Sequence, residues 1–405
     1  MRHFSMALFN RATLGRMNSF LKNLHEEKSI KFTLYLGSTI LDKNYGKTEE
    51  YIRKEYPGFN IIALPYNSYE DDPNRICSIS GEIIKNLSEA LQRDKPELLY
   101  VVADRFETLP AAMAGAYNNI VTIHIQGGEC SGNIDEKVRH SVTKLADFHF
   151  SNTAIAKRYI AAMGEEPIRI YNTGCPSLDF IKQTKIYRWT PGERYIVCFM
   201  HPDTNNLKTQ LKETEILLKT IIDFCYKKTC KCIWYWPNAD NGREDLIKLI
   251  TTYHEKYPHY LVKAINKDPF DFLRELAGSR FLVGNSSTGI RECSYIGIPV
   301  VNIGSRQEFR ERSWNVVDCD SKYETLIDTF THQWNAKRYK RSYLFGHGES
   351  AKKMITISKK LELKLKGQLT YPNLYEYRDD HIGENRYVLY NFRYKTSKAV
   401  GDQGT

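Results

Sequence analysis

The feature that most constrains the fold of this chain is an alternation of short apolar runs with helical patterns. Polar residues or glycine follow each run, and a helical pattern separates most runs from the next. Strands that alternate with helices form right-handed βαβ units around a parallel sheet. In the first part of the chain the predicted strands are Phe4–Phe9, Phe32–Leu36, Asn60–Leu64, Leu98–Val102, Ile120–Ile125, Phe148–Ser151 and Ile168–Tyr171.

A second series of the same kind follows an interruption at Gln183–Gly192, which is predicted to be a linker. Its predicted strands are Tyr195–Met200, Cys232–Trp236, Tyr260–Ile265, Arg280–Val283 and Pro299–Ile303. A chain of 405 residues is too long for one compact core and suits two domains. The predicted fold class is therefore α/β, with two Rossmann-like domains that face each other across a cleft.

The sequence also predicts where these domains end. Residues 1–182 form the first domain, and residues 192–350 form the second. Residues 351–368 are predicted to form a helix that crosses back over both halves, because apolar residues share one face and lysines the other. Residues 369–405 lack a clear period and are expected to be a peripheral extension.

Charge and cysteine content restrict the class of partner. The chain carries 58 Lys and Arg against 48 Asp and Glu, a net charge of +10, which favours an anionic partner. The charge is diffuse and no motif interleaves basic and aromatic residues, so nucleic acid is not expected. Nine scattered cysteines show no CxxC or zinc-ligand spacing, so no metal is expected.

The compartment is predicted from what the sequence lacks. We find no signal peptide, no apolar span of membrane length and no disulfide framework. We therefore expect a cytoplasmic protein that does not enter a membrane.

Polar side chains recur directly after the predicted strands. Ligands of open α/β sheets bind outside the carboxyl ends of the strands, so these residues are expected to line the interdomain cleft. They are Arg11, Asp104, Glu129, His201, Asn238, Ser286 and Arg306.

The stretch from His124 to His149 combines a glycine turn with converging charges. Gly127 and Gly128 permit positive φ and close approach to a ligand, and Asp135 and Arg139 stand four residues apart. A surface helix with i,i+4 ion pairs would explain this pattern as well as a binding site. If the stretch forms a site, Asp104, Glu129 and Asp135 supply carboxylates for acid/base chemistry, provided that burial or repulsion raises one pKa.

The segment Ser286-Ser287-Thr288-Gly289 precedes a predicted helix at Ile290–Tyr295. A serine-rich helix N-terminus suits a phosphate group, although ordinary N-capping would explain the serines too. Glu292 is placed to bind ribose hydroxyls, and Arg306 would add a cation to the same pocket.

His201 is compatible with three roles: phosphate donor, general acid or core residue. Its position after a strand and before Pro202 predicts exposure toward the cleft. The sequence has no P-loop lysine motif, no GxGxxG and no GxSxG. From the residues alone we predict a two-domain α/β protein that binds a phosphorylated, nucleotide-like ligand.

Several motifs, in consistent order over roughly residues 4–366, resemble the hydrolysing UDP-N-acetylglucosamine 2-epimerases, and most closely the branch that feeds sialic acid synthesis. They are Asp104-Arg105-Phe106-Glu107, His124-Ile125-Gln126-Gly127-Gly128-Glu129, Gly132-Asn133-Ile134-Asp135, Arg139-His140-Ser141-Val142-Thr143-Lys144-Leu145, Gly174-Cys175-Pro176-Ser177, Trp236-Pro237-Asn238-Ala239-Asp240, Gly284-Asn285-Ser286-Ser287-Thr288-Gly289-Ile290-Arg291-Glu292 and Pro299-Val300-Val301-Asn302-Ile303-Gly304-Ser305-Arg306-Gln307.

The resemblance implies the two-Rossmann glycosyltransferase-B fold and a cofactor-free reaction without metal. In that reaction UDP is eliminated anti across C1–C2 of UDP-GlcNAc to give 2-acetamidoglucal. Water addition then releases N-acetylmannosamine. It also implies a homo-oligomer, either a dimer or a tetramer.

By the same resemblance, roles pass to individual residues. Asp104, Glu129 and Asp135 become candidate acid/base carboxylates, Arg139 would orient them, and His201 would protonate or hold the departing phosphate. The remaining candidates would bind the nucleotide-sugar substrate: Arg11, Arg105, Asn238, Ser286, Ser287, Glu292 and Arg306.

Four positions depart from the usual family pattern, and all four lie in the first-domain pocket. Thr13 and Leu14 replace an acidic residue and Tyr, Thr39 replaces a histidine, and Gln126 stands where relatives carry Glu or His. Two alternatives to the hydrolysing epimerase therefore stay open. One is a non-catalytic or altered-specificity nucleotide-sugar-binding homologue, and the other is a sugar transferase of the same fold.

Overall fold

The computed structural model describes residues 1–42, 47–65, 75–131, 134–188, 194–203, 207–237, 242–264 and 267–366. Within these ranges the strands of the first domain are β1 (Arg2–Leu8), β2 (Ile30–Leu36), β3 (Asn60–Ala63), β4 (Leu98–Val102), β5 (Val121–Ile125), β6 (Phe148–Ser151) and β7 (Ile170–Asn172).

These strands form one parallel sheet in the order β3-β2-β1-β4-β5-β6-β7. The order reverses between β1 and β4, which is the switch point where ligands of open α/β sheets bind. All five residues of β4 are buried, as expected for a central strand that helices cover on both faces.

Helices cover both faces of this sheet because their apolar residues recur at helical spacing. They are α1 (Arg11–Glu26), α2 (Thr48–Glu55), α3 (Arg75–Asp94), α4 (Thr108–Tyr117), α5 (Ile134–Leu145), α6 (Ala154–Ala162) and α7 (Ser177–Thr184). The side chain of Asn10 begins α1, since its Oδ1 accepts the Thr13 backbone N–H at 2.9 Å.

The second domain contains another parallel sheet, in the order β10-β9-β8-β11-β12-β13, with its switch point between β8 and β11. Its strands are β8 (Tyr195–Phe199), β9 (Lys231–Tyr235), β10 (Leu261–Ala264), β11 (Leu282–Gly284), β12 (Val300–Ile303) and β13 (Val316–Cys319). Its helices are α8 (Leu207–Lys228), α9 (Arg243–Lys256), α10 (Pro269–Gly278), α11 (Ser287–Ile290), α12 (Glu292–Ile296) and α13 (Tyr323–Asn335).

The last described helix, α14 (Ser350–Lys360), returns to the first domain. Its apolar residues Ala351, Met354 and Ile355 pack into the same core as strands β1, β2 and β4. Asp179 of α7 caps its N-terminus, because the two carboxylate oxygens accept the backbone N–H groups of Ser350 at 2.9 Å and Ala351 at 2.7 Å. The predicted fold class, including a C-terminal helix that crosses back, is confirmed.

Some predicted element boundaries were wrong. The final helix begins at Ser350 and ends at Lys360, and residues 361–366 continue without helical structure. The helix predicted at Ile290–Tyr295 is two short helices that meet at Arg291. The proposed domain boundaries at residues 182 and 192 stay predictions. The first sheet ends at Asn172 and the second begins at Tyr195. No described helix is both long and apolar enough to cross a membrane.

Candidate functional site

A glycine turn after β5 positions the first carboxylate of the site. Gly128 has φ of +81°, and a Cβ there would lie 2.2 Å from the carbonyl oxygen of Ala156. A Cβ on Gly127 would lie 2.7 Å from Nδ1 of His124. Only glycine fits both places, so the chain passes close beneath α6 and places Glu129 beyond the carboxyl end of the sheet.

His124 itself supports this turn from within the core. Its Nδ1 lies 3.1 Å from the Thr143 hydroxyl and its Nε2 lies 2.9 Å from the Ala103 carbonyl oxygen. Burial lowers the pKa of His124 to about 3, against the opposing hydrogen bond to Ala103. His124 is therefore a neutral core residue that fixes the loops after β4 and β5.

Arg139 holds the two strand-end loops together from α5. Its guanidinium is fully buried, and its Nε donates to Asp104 Oδ2 at 3.0 Å. Its other nitrogens donate to the Glu129 carbonyl oxygen and to the Ser131 hydroxyl. Arg139 thus orients the segments that carry Asp104 and Glu129.

Two arginines of the second domain complete this network. Neither was predicted from the sequence as a site residue. Arg291 donates from Nη2 to Glu129 Oε2 at 2.6 Å. Arg310 pairs with the carboxylate of Glu129 and also donates from Nη2 to Asp104 Oδ2 at 3.3 Å. The Arg291 side chain is 3% exposed and that of Arg310 is 8% exposed. The two domains therefore meet at the carboxylates.

Two further contacts fix the same region. Asn152, after β6, donates from Nδ2 to Glu129 Oε1 at 2.6 Å. The neighbouring Thr153 hydroxyl donates to the carboxylate of Glu311, which belongs to the second domain. Glu129 is consequently held from both sides of the cleft by charge-assisted or amide hydrogen bonds.

The electrostatics of Asp104 differ from the sequence expectation. Burial by itself would raise the pKa of Asp104, but the charges of Arg139, Arg310 and Arg16 outweigh it and hold the pKa well below its ordinary value. Burial, together with the charge of nearby Arg291, lowers the pKa of Arg16 to about 10. In this closed arrangement Asp104 is a paired carboxylate, whereas the sequence argument required a raised pKa for one member of the set.

Asp135 lies in the first turn of α5, one turn before Arg139, and its side chain is partly exposed. The structure joins Asp104 and Glu129 through shared arginines. The acid/base role of Asp135 stays a prediction.

His201 lies at the switch point of the second sheet, after β8. Asn285, after β11, binds both backbone groups of His201: its Oδ1 accepts the N–H at 2.7 Å and its Nδ2 donates to the carbonyl oxygen at 2.9 Å. The predicted exposure of His201 was wrong, because the residue is only 6% exposed.

The serines predicted to bind phosphate follow Asn285 directly. Ser286 Oγ accepts the Thr288 N–H at 3.4 Å, which is ordinary N-capping of α11. Ser287 Oγ lies 3.5 Å from Nη1 of Arg291, whose other nitrogen binds Glu129. Arg291 therefore connects the predicted nucleotide side to a predicted catalytic carboxylate.

The remaining predicted nucleotide ligands are divided between the two domains. Arg306 donates from Nη1 to the Asn285 carbonyl oxygen at 3.2 Å, and Glu292 begins α12 with its side chain partly exposed. Arg11 begins α1 at the end of β1. Arg105 lies with its Nε 3.7 Å from Glu107 Oε2. Asn238 lies outside the described residues.

Gln126, one of the departures from the family pattern, has a structural explanation. It is buried, has φ of +69°, and accepts a hydrogen bond from Arg16 at 3.1 Å. Its Nε2 donates to the sulfur of Cys175 at 3.2 Å. The amide thus links α1 to the loop before α7. Of the other departures, Thr13 bonds Asn10 and Thr39 bonds the Phe9 carbonyl oxygen.

A small opening lies beside the carboxylates. Its lining combines a polar floor with aromatic walls, and consists of Gly128, Glu129, Cys130, Tyr159, Phe309, Arg310, Glu311 and Phe345. Among the described residues, no cluster of three His, Cys, Asp or Glu side chains is arranged to hold a metal ion. The arrangement can bind an anion and offer carboxylates for proton transfer.

Comparison of the sequence with known proteins identifies the family. A sequence model of the UDP-N-acetylglucosamine 2-epimerase family matches residues 22–359. The chain is 29% identical over 363 residues to the UDP-N,N'-diacetylbacillosamine 2-epimerase (hydrolyzing) of Legionella pneumophila, covering 87% of this chain and 94% of that protein. It is 26% identical over 356 residues to the UDP-N-acetylglucosamine 2-epimerase of Neisseria meningitidis, covering 84% and 89%.

Solved structures agree on the fold. The UDP-GlcNAc 2-epimerase from Neisseria meningitidis bound to UDP-GlcNAc matches with a TM-score of 0.70 at 17% identity, covering 89% of this chain and all of that chain. The Methanocaldococcus jannaschii enzyme in complex with UDP-GlcNAc and UDP matches with a TM-score of 0.70 at 15% identity, covering 88% and 99%. The match over residues 22–359 establishes that the chain belongs to the UDP-N-acetylglucosamine 2-epimerase family.

Proposed function

We propose that the protein is a hydrolysing 2-epimerase that converts a UDP-linked 2-acetamido sugar to UDP and the free 2-epimeric sugar. The observation that carries this proposal is the convergence of Asp104 and Glu129 on Arg139, Arg291 and Arg310 where the two domains meet. Beside a predicted nucleotide pocket, the carboxylates supply acceptors for a carbon-bound proton, and the arginines supply positive charge for a departing phosphate.

The reaction runs in two steps with UDP-GlcNAc as the substrate. A carboxylate of the set Asp104, Glu129 and Asp135 takes the proton from C2 while the C1–O bond breaks. The electron pair of that bond leaves with UDP, and 2-acetamidoglucal remains. Water then adds across the double bond, with its hydroxyl at C1. The new proton at C2 enters from the face opposite to the one that the first proton left. The product is N-acetylmannosamine.

The arginines and the second domain serve the leaving group. Arg139 orients the carboxylates, and His201 protonates or holds the departing phosphate. UDP is held by the residues after the strands of both sheets, namely Arg11, Arg105, Asn238, Ser286, Ser287, Glu292 and Arg306. Positive groups around a diphosphate stabilise the charge that develops as C1–O cleaves.

Hydrolysis and the identity of the sugar rest on relatives. The Legionella protein is named as hydrolyzing and acts on UDP-N,N'-diacetylbacillosamine, whereas the Neisseria protein is named for UDP-N-acetylglucosamine. We therefore include both UDP-2-acetamido sugars in the substrate class. The resemblance also implies a cytoplasmic dimer or tetramer, which cell fractionation and light scattering would test.

One experiment tests the proposal. Purified protein is incubated with UDP-GlcNAc, or with UDP-N,N'-diacetylbacillosamine, in D₂O, and the products are followed by NMR. We expect UDP together with a free 2-epimeric sugar that carries deuterium at C2. A product that keeps its UDP would show an epimerase without hydrolysis. Release of UDP only with an acceptor, and with C2 hydrogen retained, would identify a sugar transferase.

Gln126 motivates a second candidate, a nucleotide-sugar-binding homologue without turnover. Its amide cannot carry a proton, and Arg16 and Cys175 hold it in place. In the same experiment this candidate predicts binding of the nucleotide sugar, detected by calorimetry, without product or deuterium exchange.

A further inference from the structure

Arg310 occupies an unusual position between the predicted nucleotide side and the carboxylates. It lies in the loop Gly304–Arg312 after β12. At one end of this loop, Arg306 and Gln307 bind the Asn285 carbonyl oxygen, directly before Ser286. Near its other end, the Arg310 guanidinium reaches Asp104 and Glu129 of the first domain. One short loop therefore touches both halves of the site.

The buried network around Arg310 contains more donors than acceptors. Among the described residues, the three guanidinium groups of Arg139, Arg291 and Arg310 share two carboxylates, those of Asp104 and Glu129. Arg139 also donates to the Glu129 carbonyl oxygen and the Ser131 hydroxyl, and Arg291 to the Ser287 hydroxyl. The Nε groups of Arg291 and Arg310 are buried without a hydrogen-bond partner in the described part of the chain. Buried unpaired donors are costly, so this region favours an additional anion.

The same network restrains the carboxylates. A carboxylate that accepts hydrogen bonds from two guanidinium groups is a weak base, since each charge favours its ionised form. Asp104 is paired with both Arg139 and Arg310 in this state. Release from one of these partners is needed before Asp104 can take a proton from carbon efficiently.

We propose that Arg310 is a positioning residue that leaves Asp104 and Glu129 when a nucleoside diphosphate sugar binds, and pairs with the diphosphate instead. The base then becomes free only when the leaving group is in place. This inference rests on the proposed function for its substrate.

The loop geometry allows the side chain to move without the backbone. Arg312 anchors the end of the loop through Asp318 at 2.7 Å and through the carbonyl oxygens of Glu308 and Arg310. Arg310 and Glu129 both line the small opening beside the carboxylates, and 8% of the Arg310 side chain is exposed. A long arginine side chain can change partners at such an opening by rotation about its own bonds.

The test compares Arg310→Ala and Arg310→Lys with a control, Arg274→Ala on the exposed surface of α10, in the full chain. Binding of UDP is measured by calorimetry. Turnover of the nucleotide sugar that the protein accepts is measured across a range of pH. For Arg310→Ala we expect UDP to bind about tenfold more weakly, because a charge-assisted contact to the diphosphate is lost. Arg310→Lys keeps the charge and should recover part of that affinity.

The pH profiles test whether the Arg310 guanidinium moves from the carboxylates to the diphosphate or stays with the carboxylates. In Arg310→Ala the acid limb of kcat/KM, which reports the free enzyme, should move to higher pH, while the acid limb of kcat should stay in place. Arg274→Ala should change neither UDP affinity nor either profile.

UDP affinity that is unchanged or increased in Arg310→Ala would overturn the proposal. Such a result would mean that Arg310 only pairs with the carboxylates and does not move to the diphosphate. Because UDP binding is measured without turnover, it tests Arg310 even if no sugar is converted. Absence of conversion by the unmodified protein would instead contradict the proposed function.

Discussion

Arg291 of the second domain donates a hydrogen bond of 2.6 Å to Glu129 of the first, 162 residues away in the chain. Its other terminal nitrogen lies 3.5 Å from the Ser287 hydroxyl, at the predicted nucleotide side. This single guanidinium links the group proposed to hold the nucleotide with a group proposed to move a proton. Approach of the two domains therefore assembles the candidate site.

Replacement of Asp104 by Asn, or of Glu129 by Gln, should abolish turnover and leave UDP affinity largely unchanged. Each change removes a proton acceptor but keeps the size of the side chain, and general-base contributions are about 10²–10⁴-fold. Product formation by NMR and UDP binding by calorimetry check both expectations. Asp271→Asn, on the exposed surface of α10, is the control. Loss of UDP binding in Asp104→Asn would contradict the role assigned to Asp104.

Arg306→Ala should weaken UDP binding about tenfold, because one charge-assisted hydrogen bond to the diphosphate is removed. Arg306 now binds the Asn285 carbonyl oxygen beside Ser286. Calorimetry with UDP provides the measurement. Arg274→Ala serves as the control, since Arg274 lies on the half-exposed surface of α10 and pairs with Asp271. Equal UDP affinity in the two variants would remove Arg306 from the nucleotide pocket.

Gly284→Ala should unfold the second domain or destabilise it by more than about 3 kcal/mol. Gly284 has φ of +131°, and a Cβ there would lie 1.8 Å from the Phe199 carbonyl oxygen, so β8 and β11 could not keep their spacing. Gly304→Ala is the matched control, because Gly304 also has positive φ (+71°) but no atom near its Cβ. Its cost should be about 1 kcal/mol. Denaturant unfolding compares the two, and similar costs would argue against the steric explanation.

Asp179 should make the free energy of unfolding fall as pH rises from 4.5 to 7. Burial raises the pKa of Asp179 to about 6, although the N–H groups of Ala351 and Ser350 oppose it. The folded protein then binds a proton more tightly than the unfolded chain, so stability is lost as this proton leaves. The expected contribution is about 2 kcal/mol over this interval.

Urea unfolding of Asp179→Asn and of the unmodified protein at pH 4.5 and pH 7 measures this contribution. The free energy of unfolding of the variant should fall less between pH 4.5 and pH 7 than that of the unmodified protein. Burial alone would raise the pKa of Glu165, but hydrogen bonds from His149, Lys144 and Lys366 lower it to about 2. Glu165 therefore changes the free energy of unfolding mainly below pH 4.5. Identical pH dependence in the two proteins would show that Asp179 titrates normally in the folded state.

The sequence by itself determined the α/β class, both parallel sheets and the placement of polar residues after strands. These features follow from periodicity and turn chemistry within short stretches of sequence. Gly128 is an example, because its positive φ is a local requirement that favours glycine. The order of motifs likewise indicated the family. Local signals were weaker at helix ends, and the break at Arg291 was not anticipated.

Only the tertiary structure decided which charges meet. Arg310 and Asp104 are 206 residues apart, and nothing near Arg310 distinguishes it from the adjacent loop residues Arg306 and Arg312. The burial of His201 and the lowered pKa of Asp104 likewise depend on the tertiary structure. The physical reason is that Coulomb interactions and desolvation depend on distances and burial, which exist only after two separately folded sheets have come together.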